Sequence, residues 1–184
     1  MTRATRFLTR SAILLSLVLV LQVFGSELSR GLGLSPWSVF VVGPAVAACL
    51  LVATAFAGPW AGIALALLAP LGAYATGSVT EPVFLLAVAV GNLILVLPFA
   101  VMDSSSEAHP PRVRLGSRAL GILAGSVLSC AWLWGGVTLY VRWFAVEADV
   151  KAAMLYAYAW PQAVAAAAGG AVALLALLVL ERRR

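Results

Sequence analysis

The chain has 184 residues, 63% of them hydrophobic and only 10% charged, with a mean hydropathy of +1.04 and a formal net charge of +5. A water-soluble domain carries about 25% charged residues, so this chain lacks the charge to coat a globule in water. Disorder is excluded by the same figures, because it needs low hydrophobicity and high charge; lipid must replace water over most of the surface.

A helix needs roughly 20 apolar residues to cross a hydrocarbon core of about 30 Å, so uncharged runs mark the spans. Residues 11–26 form a short first run that serves if Arg6 and Arg10 extend their charged heads to the interface. Residues 31–80 hold no charge at all, too many for one helix and suited to two, with a turn at Ala57-Gly58-Pro59-Trp60. Uncharged runs also cover 82–102, 119–141 and 152–180. These runs predict an all-α membrane protein, a single domain over 1–184. Its six transmembrane helices fall near 8–25, 37–57, 59–77, 82–102, 117–141 and 154–180. The one long loop is 103–117, with Ser-Ser-Ser and His109-Pro110-Pro111 as linker chemistry. The first span has a rival reading as a signal peptide, but Val23-Phe24-Gly25-Ser26 puts Phe where processing prefers small residues.

Orientation follows from Lys and Arg in short loops. With both termini cytoplasmic, nine of the 12 basic residues are inside (Arg3, Arg6, Arg10, Arg112, Arg114, Arg118 and Arg182–Arg184) and three outside (Arg30, Arg142, Lys151). The loop 103–117 is then cytoplasmic. The basic balance reflects topology and contact with anionic lipid, not nucleic acid.

Catalytic groupings are missing from the sequence. Cys49 and Cys130 sit in apolar runs without metal spacing and read as packing residues, and His109 stands alone in a Pro-rich loop. Neither a Ser–His pair, an H-E-x-x-H motif nor a Gly-rich phosphate loop occurs, so no enzyme activity, metal or cofactor is expected. No Asp, Glu, Lys or Arg is expected well inside a span, which disfavours proton- or sodium-driven transport.

Small residues recur every fourth position, as in Ala12/Ser16, Gly121/Gly125/Ser129 and Ala165/Gly169, a spacing that lets helix backbones approach. Most of these read as packing within the bundle, whereas Ala12 and Ser16, on a first helix near the edge, are available to another subunit. Aromatic placement carries more information. Nine of the ten Trp and Tyr residues fall in the outer half, with Trp60 alone inside. Two readings fit: an interfacial belt, or an outward-facing aromatic pocket. The pocket candidates are the aromatics Trp37, Tyr74, Trp134, Tyr158 and Trp160, joined by the polar Glu81, Asn92 and Gln162. For Asn92 and Gln162 the alternative is hydrogen bonding between helices, since amides in lipid need partners. Pro70, Pro98 and Pro161 are expected to kink or interrupt helices 3, 4 and 6.

Taken in order, several segments resemble one family. They are Thr9-Arg10-Ser11-Ala12, Gly58-Pro59-Trp60-Ala61-Gly62, Ala69-Pro70-Leu71-Gly72-Ala73 with Thr76-Gly77, Gly91-Asn92-Leu93-Ile94-Leu95-Val96-Leu97, and Trp160-Pro161-Gln162 with Ala168-Gly169-Gly170. Together they resemble the substrate-binding (S) components of energy-coupling factor transporters of bacteria. The resemblance implies a multi-pass protein of the bacterial cytoplasmic membrane that binds a vitamin-like small molecule from outside. It also implies a partner, a membrane coupling subunit carrying two ATPases, onto which the S component docks before it topples to release cargo. The family's Ala-x-x-x-Ala docking motif on helix 1 is matched here as Ala12-x-x-x-Ser16. If Glu81 faces the pocket, a flat or cationic heterocycle is favoured. Two alternatives remain: a scaffold resembling the rod-shape-determining protein of the cell-wall machinery, and a small secondary carrier.

Overall fold

A computed structural model describes residues 3–32, 39–75, 82–106, 108–144, 152, 154–155 and 160–181. Among them are six helices and no strand: α1 Arg3–Gly31, α2 Val39–Ala57, α3 Pro59–Ala75, α4 Pro82–Ser105, α5 Pro111–Trp143 and α6 Trp160–Glu181. Five are long and apolar enough to cross a membrane; α3 has 17 residues, and residues 76–81 lie outside the described ones. Helices are the expected solution, because each satisfies its own backbone hydrogen bonds where water is absent.

Proline sets several starts. Pro59, Pro82 and Pro111 open α3, α4 and α5, where the missing N–H has no intrahelical partner to lose. The turn between α2 and α3 is a single residue, Gly58, at φ +107°, a conformation that glycine adopts without strain. The Ala61 amide donates to its carbonyl over 3.0 Å, starting the next helix.

The helix limits depart from expectation in an informative way. Expected near 8–25, α1 runs from Arg3 to Gly31. The loop expected over 103–117 contracts, because α4 continues to Ser105 and α5 starts at Pro111 rather than near 117. An uncharged run stops at its first charge, whereas a helix continues through charges that find partners. Asp103 and Arg118 do so, only 8% and 4% exposed. Both stand near helix ends, Asp103 the third residue from the end of α4 and Arg118 in the second turn of α5. The described part of α6 spans Trp160–Glu181 with Pro161 in its first turn; residues 154 and 155 are also helical, and 156–159 lie outside the described residues. Pro70 and Pro98 do lie within α3 and α4, and Pro44 within α2.

Helices α2, α3, α4, α5 and α6 pack in that order into a ring, with α6 returning to α2 and α2 also touching α4 across the middle. α1 lies outside the ring in the groove between α2 and α3. The ring is filled by Leu51 of α2, Leu95 and Phe99 of α4, Ile122 of α5, and Ala173 and Leu177 of α6. A second cluster seats α1: its Val18 meets Leu50 and Ala53 of α2 and Leu65 and Ala69 of α3.

Glycine permits the closest crossings. A Cβ on Gly125 of α5 would stand 2.6 Å from the Leu95 carbonyl oxygen, and one on Gly121 would stand 2.9 Å from the Phe99 Cα. A Cβ on Gly169 of α6 would stand 2.7 Å from that of Ala47, and one on Gly43 of α2 would stand 2.8 Å from that of Ala165. These small-residue stripes therefore serve packing within the bundle, as expected for Gly121/Gly125 and Ala165/Gly169.

Candidate functional site

The bundle has two chemically different ends. One, the arginine end, gathers the start of α1, the Gly58 turn, the α4–α5 connection and the end of α6, and with them Arg10, Arg112, Arg114 and Arg118. The other, the aromatic end, gathers the end of α3, the starts of α2, α4 and α6, and the end of α5.

Two aromatic groups stand at the aromatic end. On the α2–α6 seam, Phe40 and Trp160 have ring centroids 6.0 Å apart, tilted by 49°. Between α4 and α5, Phe84 and Tyr140 meet edge to face at 5.2 Å; at the end of α5, Tyr140 and Phe144 stand 4.7 Å apart, tilted by 34°. Phe84, Val137 and Val141 bury the base of this second group against Ala73 of α3. Trp132, not a candidate from the sequence, donates its indole N–H to the Ala87 carbonyl over 3.0 Å and ties α5 to α4.

The predicted pocket residues divide. Trp37, Glu81 and Tyr158 lie outside the described residues. Trp160 and Gln162 share the first described turn of α6, Trp160 partly exposed and Gln162 half-buried. Tyr74 is exposed on the last turn of α3, and Trp134 is exposed on α5 beside the buried stripe of Leu133, Val137 and Val141. Asn92 is lower in the bundle. Its Nδ2 donates to the Ala66 carbonyl of α3 over 3.4 Å. That carbonyl is the one Pro70 leaves without a helical donor, four residues on. Asn92 therefore makes the interhelical bond named as its alternative role. Gln22 of α1, only 4% exposed, brings a second amide to α3, donating from Nε2 to Ala69 O over 3.0 Å.

Ala12 and Ser16 are both exposed, whereas Val18, Gln22 and Ser26 of the same helix are buried. In this they differ from the buried Gly121 and Gly125 of the same spacing.

An ion-pair network at the arginine end was not anticipated. Arg118 of α5 holds Asp103 of α4 through Nε at 2.6 Å and Glu181 of α6 through Nη2 at 2.9 Å. Arg114, one turn back on the same face, reaches Glu181 at 3.3 Å. The Ser117 hydroxyl donates to the Met102 carbonyl over 2.9 Å, near the end of α4. The available signal was Arg114-x-x-x-Arg118 on one helical face, with single acids at the ends of two other helices.

Among the described residues no three His, Cys, Asp or Glu side chains gather as metal ligands. The assembled groups are aromatic rings, amides and a charge-neutral salt-bridge cluster, which are means of binding and packing.

No curated protein and no solved structure matches the chain. A family model for the substrate-specific component of ECF transporters matches residues 6–181, nearly the whole length and all six helices but for the first residues of α1. The chain therefore belongs to the substrate-specific components of ECF transporters, integral proteins of the cytoplasmic membrane that bind cargo for transport and are not enzymes.

Proposed function

We propose that this chain captures a vitamin-like small molecule at its aromatic end, facing outward, and delivers it through an ATP-driven coupling subunit. The family match over residues 6–181 carries the reading and speaks against the cell-wall scaffold. Orientation rests on the positive-inside rule, which directs the arginine end to the cytoplasm. Trp160, beside Phe40, and Gln162 on the same turn are the binding residues best supported by position. Tyr74 and Trp134 are candidates at the same end, as are Trp37, Glu81 and Tyr158. Asn92 acts there through α3. The chain carries no nucleotide motif, so its energy comes from the partner's ATPases.

Titrating the purified chain with a vitamin panel, followed by tryptophan fluorescence, tests the binding. Trp160→Ala is expected to weaken the bound compound about three- to tenfold, the worth of one aromatic contact. A panel without a tight ligand, or an unaffected Trp160→Ala, counts against the site.

Docking is assigned to the exposed Ala12/Ser16 face of α1, where small side chains admit another helix closely. Ala12→Trp or Ser16→Trp is expected to lower copurification of the coupling subunit by about tenfold. Ligand binding by the isolated chain should be unchanged. Full recovery of the partner with both variants would remove this face from the docking surface.

A further inference from the structure

α1 presents a physical problem. It lies outside the ring, and apolar side chains are exposed widely around it, among them Leu8, Ile13, Leu17, Val20 and Phe24. Lipid tails are as apolar as leucine, so burial alone gives little reason for one rotation of this helix over another. Directional contacts must decide.

Among the described residues, a directional contact reaches each wall of the groove. Toward α2, Arg10 donates from Nη1 to the Phe56 carbonyl over 3.0 Å, and its guanidinium carbon stands 4.4 Å from the centre of the Phe56 ring. Phe56 is in the last turn of α2, where carbonyls lack helical donors and the helix dipole favours a cation. Toward α3, Gln22 donates to the Ala69 carbonyl, against Gly72, where a Cβ would collide with the Gln22 side chain. At about 100° per residue, Arg10 and Gln22 are roughly 120° apart around α1, and Ser16 lies opposite the line that bisects them. Ala12 is about 40° from that opposite line.

We infer that Arg10 and Gln22 are positioning residues that fix the rotation of α1 between α2 and α3 and so aim the Ala12/Ser16 face at the coupling subunit. The inference rests on the docking reading above. A further observation separates it from simple stabilisation. Gln22 Oε1 is buried without a hydrogen-bond partner, and an unsatisfied buried acceptor is destabilising. A leucine would fill the slot without that penalty, so the amide contributes direction rather than net stability.

The test uses the full-length chain co-expressed with its coupling subunit, and the variants Gln22→Leu, Arg10→Ala and both together. Single cysteines at 12, 13, 16 or 17, in a background lacking Cys49 and Cys130, carry a thiol-linked photo-crosslinker. In the otherwise native chain, cross-links to the partner are expected from 12 and 16. Gln22→Leu should keep the melting temperature, weaken copurification about three- to tenfold, and spread cross-links to 13 and 17. The double variant should spread them further. If Gln22→Leu and Arg10→Ala leave partner recovery and the cross-linking pattern unchanged while Ala12→Trp abolishes recovery, the positioning role is wrong and docking stands. If Ala12→Trp and Ser16→Trp also couple normally, the docking reading falls and this inference falls with it.

Discussion

Replacing Arg118 with alanine is expected to destabilise the bundle by about 3–5 kcal/mol, the usual consequence of removing one partner from a buried ion pair. Asp103 would be left in a site where it is 8% exposed, with its 2.6 Å partner gone. Glu181 is the lesser loss, since its side chain is 34% exposed and retains Arg114 at 3.3 Å. Unfolding followed in detergent, by heat or by a denaturing surfactant, measures the effect. The companion experiment removes both charges. Arg118→Met with Asp103→Leu should recover most of the lost stability, because an apolar pair of similar volume often replaces a buried ion pair without penalty. A double variant as unstable as Arg118→Ala would mean that the network holds α4, α5 and α6 by directed bonds that apolar contact cannot replace.

Gly125→Leu should have a comparably large effect by a different mechanism. Even a methyl group at this position would meet the Leu95 carbonyl oxygen at 2.6 Å and the Leu95 Cα at 3.0 Å. Both obstacles are backbone, so no side chain can rotate away; α4 and α5 must separate along their shared length. Gly125→Ala is expected to cost about 1–3 kcal/mol, as overpacking does in a close-packed interior, and the leucine variant more. The control lies on the same helix. A Cβ on Gly135 would meet nothing within 4 Å, so Gly135→Ala should stabilise α5 by about 0.5–1 kcal/mol through helix propensity. Melting curves of the three variants under one condition check the ordering; equal losses at 125 and 135 would show that close approach is not the cause.

Much of the architecture was legible because lipid imposes a simple grammar. Uncharged runs located six helices, and Gly58-Pro59 marked the turn between α2 and α3. What escaped was tertiary pairing of charge. Asp103 and Arg118 each looked like the end of a span, since a sequence read one run at a time cannot tell a solvated charge from one neutralised by another helix. The α4–α5 connection consequently came out too long. Of the candidate residues, the proximity of Trp160 and Gln162 was legible, since they share a turn, and the surroundings of Asn92 less so. Its partner is a backbone carbonyl, which carries no residue signature, although counting four back from Pro70 points to Ala66. Gly121/Gly125 and Ala12/Ser16 have the same spacing, yet one pair is buried and the other exposed; only neighbouring helices distinguish them.

Closure of the ring by α6 against α2 also dictates an order of assembly. A chain inserted from its N-terminus can pair α2 with α3, α3 with α4, and α4 with α5 as each span arrives, and the meeting of Arg118 with Asp103 needs nothing later than α5. The flank of α2 around Gly43 has to wait, facing lipid, until the last 22-residue helix is made. The native bundle is thus completed by its most distant pairing in sequence. Until α6 is delivered, the nascent protein is an open arc in which Arg118 is already held by Asp103, Arg114 still awaits Glu181, and the α2–α6 seam is unoccupied.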